Sequence, residues 1–411
     1  MKYVLFFFII FFASFSDLFL YRIGIIPYKP ADFLIPVFFV ICIVTFKLTS
    51  YLKYLKTNTF KFLLAFFILS VLFGLNKTVD YEVIKTSVGN HFISLLTYSF
   101  CLILFAKSSI KETRLFLLIG CIVISLSIWY DMFIGLPIED VDLMEQARKG
   151  GFGENPNVGA SAVKFLGFGL LLLYKDVKIM RTILLILVFS SVFLTFSRSG
   201  LLATLMFIIL LLFNDWKSYF NIKVSRLIIT GIKSILVLGL LYALLLTFAD
   251  IVRKEVPAFR QGAAAERLDL LTGQSKGGVI SEDDQSNFGR KTLVKNYLDE
   301  FYSHPLGQGT GFCADKSINY KNTHNFYLRT AVEYGILGLI ILIIFLYRSI
   351  NLSFSKDNYY YLVFMLMILF EFFISHYLFQ EKPILIVLAL MDANLYFKNA
   401  ENEEASNEKL A

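Results

Sequence analysis

Charge is scarce in this 411-residue chain: only 17% of residues are Asp, Glu, Lys or Arg, against 57% hydrophobic and 17% aromatic. With 44 phenylalanines and a mean hydropathy of +0.66, the chain carries too much apolar surface for a water-soluble protein of this size. Cysteine is also scarce. Cys42, Cys101 and Cys121 fall in apolar stretches and only Cys313 lies in a polar segment, so no internal disulfide is expected, and no CxxC spacing marks a metal or redox site. Walker A, GxGxxG, HExxH and GxSxG patterns are all missing, which removes the usual signatures of nucleotide, zinc-protease and serine-hydrolase chemistry. A carboxylate-rich metal cluster is lacking on the outer loops; "SEDDQ" (Glu282, Asp283, Asp284) could make a weak cation site but reads as solvated surface. Histidine is the last scarcity, with four in the chain.

What the sequence does have is long apolar runs. A bilayer-spanning helix needs about 20 such residues, and these runs are continuous rather than alternating, so the expectation is an all-α polytopic membrane protein. Twelve windows qualify: 3–21, 31–49, 60–75, 90–106, 115–134, 158–174, 180–196, 199–213, 227–249, 325–347, 359–379 and 383–397. The opening "MKYVLFFFIIFFASFSDLFLY" has only Lys2 as a basic start and no A-x-A-like site, and reads as a retained first span. The implied organisation is nine spans over 1–249, a loop over 250–324, three spans over 325–397 and a tail over 398–411.

Basic residues set the orientation. One set of alternate loops holds fifteen Lys and Arg and the other set holds eight. The positive-inside rule places the first set, both termini and the acidic tail in the cytoplasm. The 250–324 loop then lies outside, with ten basic and ten acidic residues over 75 positions. A loop that long inside a compact protein usually carries function. Within it, "AAAERLDLL" and "RKTLVKNYLDEFYSHP" read as helices. The second repeats Leu293, Tyr297 and Phe301 every four residues, an amphipathic pattern suited to a membrane surface or to covering a pocket. "SHPLGQGTGF" follows, with His304, Pro305 and three glycines marking a tight turn.

Several side chains stand out against this background. His324 opens "THNFYLRTAVEYGILGLI" at the water boundary, with Thr323 or Asn325 as helix cap. At 100° per residue, His324, Leu328, Ala331, Gly335 and Gly338 share a stripe whose lower part is small, and Glu333 points to the opposite face. An ordinary interfacial histidine is the plain reading. Arg290 sits at the start of the loop helix, where free N–H groups and the helix dipole favour an anion, although a solvated arginine is also ordinary there. Arg198, in "FSRSG", is the only basic residue in the turn of a tight hairpin and either snorkels or binds an anion. "RKGGFGENPNVGASAVKFLGFG" combines a turn around Asn157 with a small-residue helix that carries Lys164. That lysine either faces a water-filled cavity or snorkels outward.

In order, "GGFGENPNVGA", "FSRSG", Arg290, "HPLGQGTGF" and the H-N-x9-G-x-x-G pattern of "HNFYLRTAVEYGILG" resemble the O-antigen ligase and polymerase superfamily over roughly residues 148–345. The resemblance implies a glycosyltransferase C-like helical bundle in the bacterial inner membrane that uses no cofactor, no metal and no nucleotide sugar. It implies transfer of a glycan from undecaprenyl pyrophosphate to an acceptor on the outer face. The acceptor is the lipid A core for a ligase, another carrier-linked unit for a polymerase, or a protein in glycosylating relatives. Nucleic acid is not an expected partner. In that setting His324 would activate the acceptor hydroxyl, and Arg290 and Arg198 would hold the pyrophosphate. Lys164, Asn157, His304, Asn325, Gly335 and Gly338 would bind substrate or support the site. The rival class is a twelve-span secondary transporter, which should show two related halves and mid-membrane charges. Lys164, Glu371 and Asp392 are the few such charges present, and the halves differ.

Overall fold

The computed structural model describes residues 2–45, 56–75, 79–137, 150–153, 155–212, 290–318 and 323–398, with scattered positions between 228 and 273. The expected span over 227–249, the helix "AAAERLDLL", the "SEDDQ" run and the terminal tail lie largely or wholly outside these residues. Every regular element among the described residues is helical.

Two compact units divide the chain. The first takes Met1–Pro30, Ile110–Gly278 and Asp357–Val363, and the second Ala31–Ser109, Val279–Lys356 and Phe364–Ala411. In the first unit, α1 (Lys2–Ala13) and α2 (Ser16–Arg22) form a pair bent by 63°. The Ser14 hydroxyl donates back to the Ile10 carbonyl (2.9 Å) and Phe15 turns left-handed (φ 57°), so the expected first span is broken. α3 (Pro30–Thr45), α4 (Asn58–Phe73) and α5 (Tyr81–Ala106) follow in the second unit, and α6 (Ile110–Phe133) returns to the first.

The first unit is built around α7 (Pro156–Leu173), in which every residue from Gly159 to Leu173 is buried. A helix apolar all round belongs inside a bundle. Arg114 of α6 donates to the Leu173 carbonyl through Nε (2.8 Å) and Nη2 (2.5 Å), a cation set on the negative end of α7. α8 (Lys178–Leu194) is tied to α6 by the Trp129 indole on the Ser191 hydroxyl (3.0 Å), and α9 (Arg198–Leu212) completes the hairpin.

The second unit adds the loop helix α10 (Arg290–Ser303), α11 (Phe326–Ser355), most of α12 (Tyr359–Glu371) and α13 (Lys382–Ala393). Phenylalanines supply its packing. Phe62 stacks on Phe345 (4.2 Å) and Phe326 on Phe372 (4.8 Å), joining α4, α11 and the end of α12. Deeper in, the Tyr98 hydroxyl donates to Asp392 Oδ2 (2.6 Å) and pairs with Thr57 Oγ1 (2.9 Å), which gives a buried carboxylate of α13 a polar neighbour on α5. Asp392 is therefore accounted for by packing. In lipid such bonds and close contacts hold helices together, because apolar area alone gains nothing there.

Not every one of the twelve apolar windows is a long unbroken helix among the described residues. Among the described residues, four helices are long and apolar enough to cross a membrane: Tyr81–Ala106, Ile110–Phe133, Pro156–Leu173 and Phe326–Ser355. The bent α1–α2 pair makes a fifth if it is one span, while Pro30–Thr45, Asn58–Phe73, Arg198–Leu211 and Tyr359–Glu371 are shorter apolar helices. The window over 359–379 stops early because a non-helical stretch and a 3-10 turn (Leu378–Gln380) follow Glu371. Hydropathy alone does not see that interruption. The chain is a multi-pass membrane protein.

Candidate functional site

His324 is not part of α11. It is exposed, has a left-handed backbone (φ 48°), and precedes the true cap, Asn325, whose side chain accepts from the Leu328 N–H (3.0 Å). Thr323 fixes this turn. Its hydroxyl donates to the Asn325 carbonyl (3.0 Å) and accepts from the Asn325 N–H (3.3 Å). A non-glycine residue in this region is strained by about 1–3 kcal/mol, and such strain concentrates at functional sites. The stripe running from His324 down the helix therefore does not exist, since helical spacing begins only at Phe326.

Beneath the turn lies a buried ion pair. Arg329 and Glu333 are 4% and 0% exposed, and Arg329 Nε donates to Glu333 Oε1 (3.1 Å). Glu333 thus pairs along its own helix instead of facing away from the site. Arg329 Nη1 donates to the His376 carbonyl (3.1 Å), and the guanidinium lies 4.5 Å over the Tyr377 ring. The His376 ring meets His324 edge to face, centroids 5.1 Å apart at 89°. Burial first, then the Arg329 charge and His324, push the His376 imidazole down to about 2, so it is neutral at physiological pH. Arg329 Nη2, Glu333 Oε2 and His376 Nε2 are buried without a hydrogen-bond partner, an unusual concentration of unsatisfied groups.

One turn further along, α11 breaks. Gly335 takes φ 62°, ψ −155°, and the "HPLGQG" turn fills the gap. Gln308 and Gly309 N–H groups donate to the Val332 (2.8 Å) and Glu333 (3.1 Å) carbonyls, and the Ile336 N–H donates to the Pro305 carbonyl (2.9 Å). A Cβ on Gly335 would lie 2.4 Å from the Pro305 carbonyl oxygen. Gly335 is thus a socket for loop backbone, not part of a face for another helix. Irregular backbone in a membrane helix is tolerated where protein satisfies it in this way. Gly338 sits against its own helix, where a Cβ would meet Tyr334 Cβ at 2.6 Å.

The loop helix packs as its apolar spacing predicts. Leu293 and Tyr297 join Val79, Phe312, Cys313 and Val332 in one cluster, with Phe301 beside it. α10 therefore covers protein rather than lying free on a membrane surface. It begins at Arg290, whose side chain is outside the described residues. His304 is exposed, with Nδ1 2.6 Å from Gln308 Nε2, which also donates to Glu300 Oε1 (2.6 Å). His304 thus helps hold the turn. Burial pushes the Cys313 thiol well up, and it stays protonated.

Asp315 anchors the far end of the same loop. Its carboxylate accepts from the Asp80 N–H (2.9 Å) and from the Ser317 N–H (2.8 Å) and hydroxyl (2.6 Å). Burial raises its pKa, but these bonds outweigh it and the net shift is downward. A depressed carboxyl stabilises the fold fully above its unfolded value, about 3.9, and that contribution is lost as pH falls through the lower folded value. Asp315→Asn is expected to lower stability by about 2 kcal/mol at pH 7. In thermal melts of the detergent-solubilised protein, the gap from wild type should close as the pH is taken below that range.

In the first unit, the two earlier motifs meet. Ser197 Oγ donates to Asn157 Oδ1 (2.7 Å) and accepts from the Gly200 N–H (3.0 Å), joining "NPN" to "FSRSG". Arg198 is exposed as the first residue of α9. The turn at Gly150–Gly153 folds onto the start of α7, where a Cβ on Gly159 would lie 2.4 Å from the Gly150 carbonyl oxygen. Lys164 is 1% exposed, with Nζ 5.2 Å from the Phe165 ring, and does not reach the surface. Full enclosure of α7 is the reason.

Sequence reasoning missed Arg329, His376 and Tyr377. An arginine and a glutamate four apart inside an apolar run was the available signal for Arg329, whereas His376 was concealed inside an apolar window. Among the described residues no group of three His, Cys, Asp or Glu side chains comes together to hold a metal ion. No curated protein and no solved structure matches the chain. Residues 183–343 match the family model described as O-antigen ligase, a span that takes in Arg198, Arg290, the "HPLGQG" turn, His324 and Gly335. That match supports the resemblance to the O-antigen ligase and polymerase superfamily over this part of the chain.

Proposed function

We propose that this protein transfers a glycan from undecaprenyl pyrophosphate to a hydroxyl of an acceptor sugar on the outer face of the bacterial inner membrane. The observation that carries the reading is His324: an exposed imidazole held on a strained turn, inside the segment that matches the family. The excess of basic residues in the alternate loops supports the outward placement of the 250–324 loop and both termini inside.

In this reading His324 takes the proton of the acceptor hydroxyl as its oxygen attacks the anomeric carbon. The bond from that carbon to the phosphate oxygen breaks, and the electron pair leaves with the lipid pyrophosphate. Direct displacement of this kind inverts the anomeric configuration. Pyrophosphate is already a good leaving group, so the requirement is positive charge against its oxygens rather than a strong acid. Arg290, at the N-terminus of α10, is assigned that role, helped by the free N–H groups and dipole of the helix. Arg198, also at a helix start, keeps its reading as an anion-binding arginine. The turn built by His304, Gln308 and Gly309 holds the helix that follows His324, and Asn325 caps it. Lys164 and Asn157 serve the architecture of the first unit.

The test uses purified protein in lipid vesicles with an undecaprenyl-pyrophosphate-linked oligosaccharide and three separate acceptors: a lipid A core, a second carrier-linked unit and a serine-containing protein. A new glycosidic bond to one of the two sugar acceptors is the expected product. Bonds to the protein alone would assign the chain to protein glycosylation. Donor that crosses the bilayer without any new bond would make it a transporter.

A further inference from the structure

We propose that Arg329 is the positioning residue of the His324 base, clamping the 372–377 segment so that the His376 ring buttresses His324. This rests on the reading of His324 given above.

The clamp is drawn by the contacts of one guanidinium. An i, i+4 pair with Glu333 would satisfy Nε alone and needs no other element. Its hydrogen bond outside that pair and its aromatic contact go to one segment, Nη1 to the His376 carbonyl and the guanidinium face to the Tyr377 ring. That segment is pinned at its other end by the Phe326 N–H on the Phe372 carbonyl (2.7 Å). His376 is therefore fixed from both sides, and its ring fills the space between Tyr377 (3.9 Å) and His324 (5.1 Å). At 4% exposure Arg329 itself does not meet substrate. An enclosed ion pair is also poor value for stability, since apolar side chains of similar volume often serve a fold as well or better. Its worth here is where it puts His376.

Removing one partner would strand a buried charge, so both are replaced in R329M/E333L. Transfer rates are compared at matched membrane levels for wild type, His324→Ala, R329M/E333L and the triple variant. R329M/E333L is expected to accumulate normally and to lose roughly 100-fold in rate, the scale of an ångström-sized misplacement. In the His324→Ala background the same pair of changes should alter the residual rate by less than about twofold, because the residue it positions is already gone. Arg329→Lys is the second variant: it keeps a charge for Glu333 but cannot also bond the His376 carbonyl and stack on Tyr377, and should show the same pattern in milder form. Wild-type rates in R329M/E333L or Arg329→Lys would overturn the proposal. So would an equal loss in both backgrounds, which marks a purely structural pair. If His324→Ala alone keeps the wild-type rate, the base assignment fails first, and that outcome is distinct from the other two.

Discussion

His324→Ala, present in the membrane at the wild-type level, should lose 10²- to 10⁴-fold in glycan transfer, the usual contribution of a positioned general base. Folding should survive the change. His324 is exposed and lies outside α11, and the cap of that helix comes from Asn325, so the change removes the edge contact with the His376 ring but leaves the helix start in place. Alanine keeps the same left-handed strain or relaxes it, and the Thr323–Asn325 bonds use no atom of His324. The effect should therefore appear in the rate and not in protein level or melting temperature. In cells that lack their own copy, the variant should leave the glycan ladder without full-length product. A parallel loss of protein would instead make His324 a structural residue.

Gly335→Ala should act in the opposite way, through the fold. Left-handed backbone at a non-glycine residue costs about 1–3 kcal/mol, and the added Cβ would press on the Pro305 and Leu306 backbone at 2.4 Å. Neither side can yield cheaply, because the obstacle is main chain. Three backbone hydrogen bonds depend on the seating of that turn, each worth about 1 kcal/mol. A combined loss of about 3–5 kcal/mol is expected, read as a lowered melting temperature and as faster hydrogen exchange at Gln308, Gly309 and Ile336. Gly24→Ala is the control. Its φ is 73° but nothing lies within 4 Å of the new Cβ, so it carries the strain without the collision and should change melting by about 1 kcal/mol. Equal effects in the two variants would show that backbone strain alone, and not the inserted turn, explains Gly335.

Gly335 also shows how far the sequence could be read. The H-N-x9-G-x-x-G spacing marks a strained turn at His324 and a helix break at Gly335, yet 100° periodicity turned them into a smooth small-residue face. Periodicity assumes an unbroken helix, and this one begins two residues after His324 and breaks at Gly335. The all-helical class and the amphipathic α10 were legible because they depend on local apolar spacing, which Leu293 and Tyr297 display openly. The breaks inside the apolar windows were not, since hydropathy does not register the bend at Phe15 or the stop at Glu371. The Arg329–His376 contact joins residues 47 positions apart and leaves no mark in either local stretch. Nor does the Ser197–Asn157 bond, which joins two motifs that looked separate.

The central claim is that this site makes a glycosidic bond at the expense of a lipid pyrophosphate linkage, with His324 as base. The most direct measurement follows both products at once in vesicles: free undecaprenyl pyrophosphate released and glycosidic bonds formed, for wild type and His324→Ala at equal protein. One carrier freed per bond formed in the wild type, and both products falling together in the variant, is the expected result. Bond formation at the wild-type rate by His324→Ala would contradict the account.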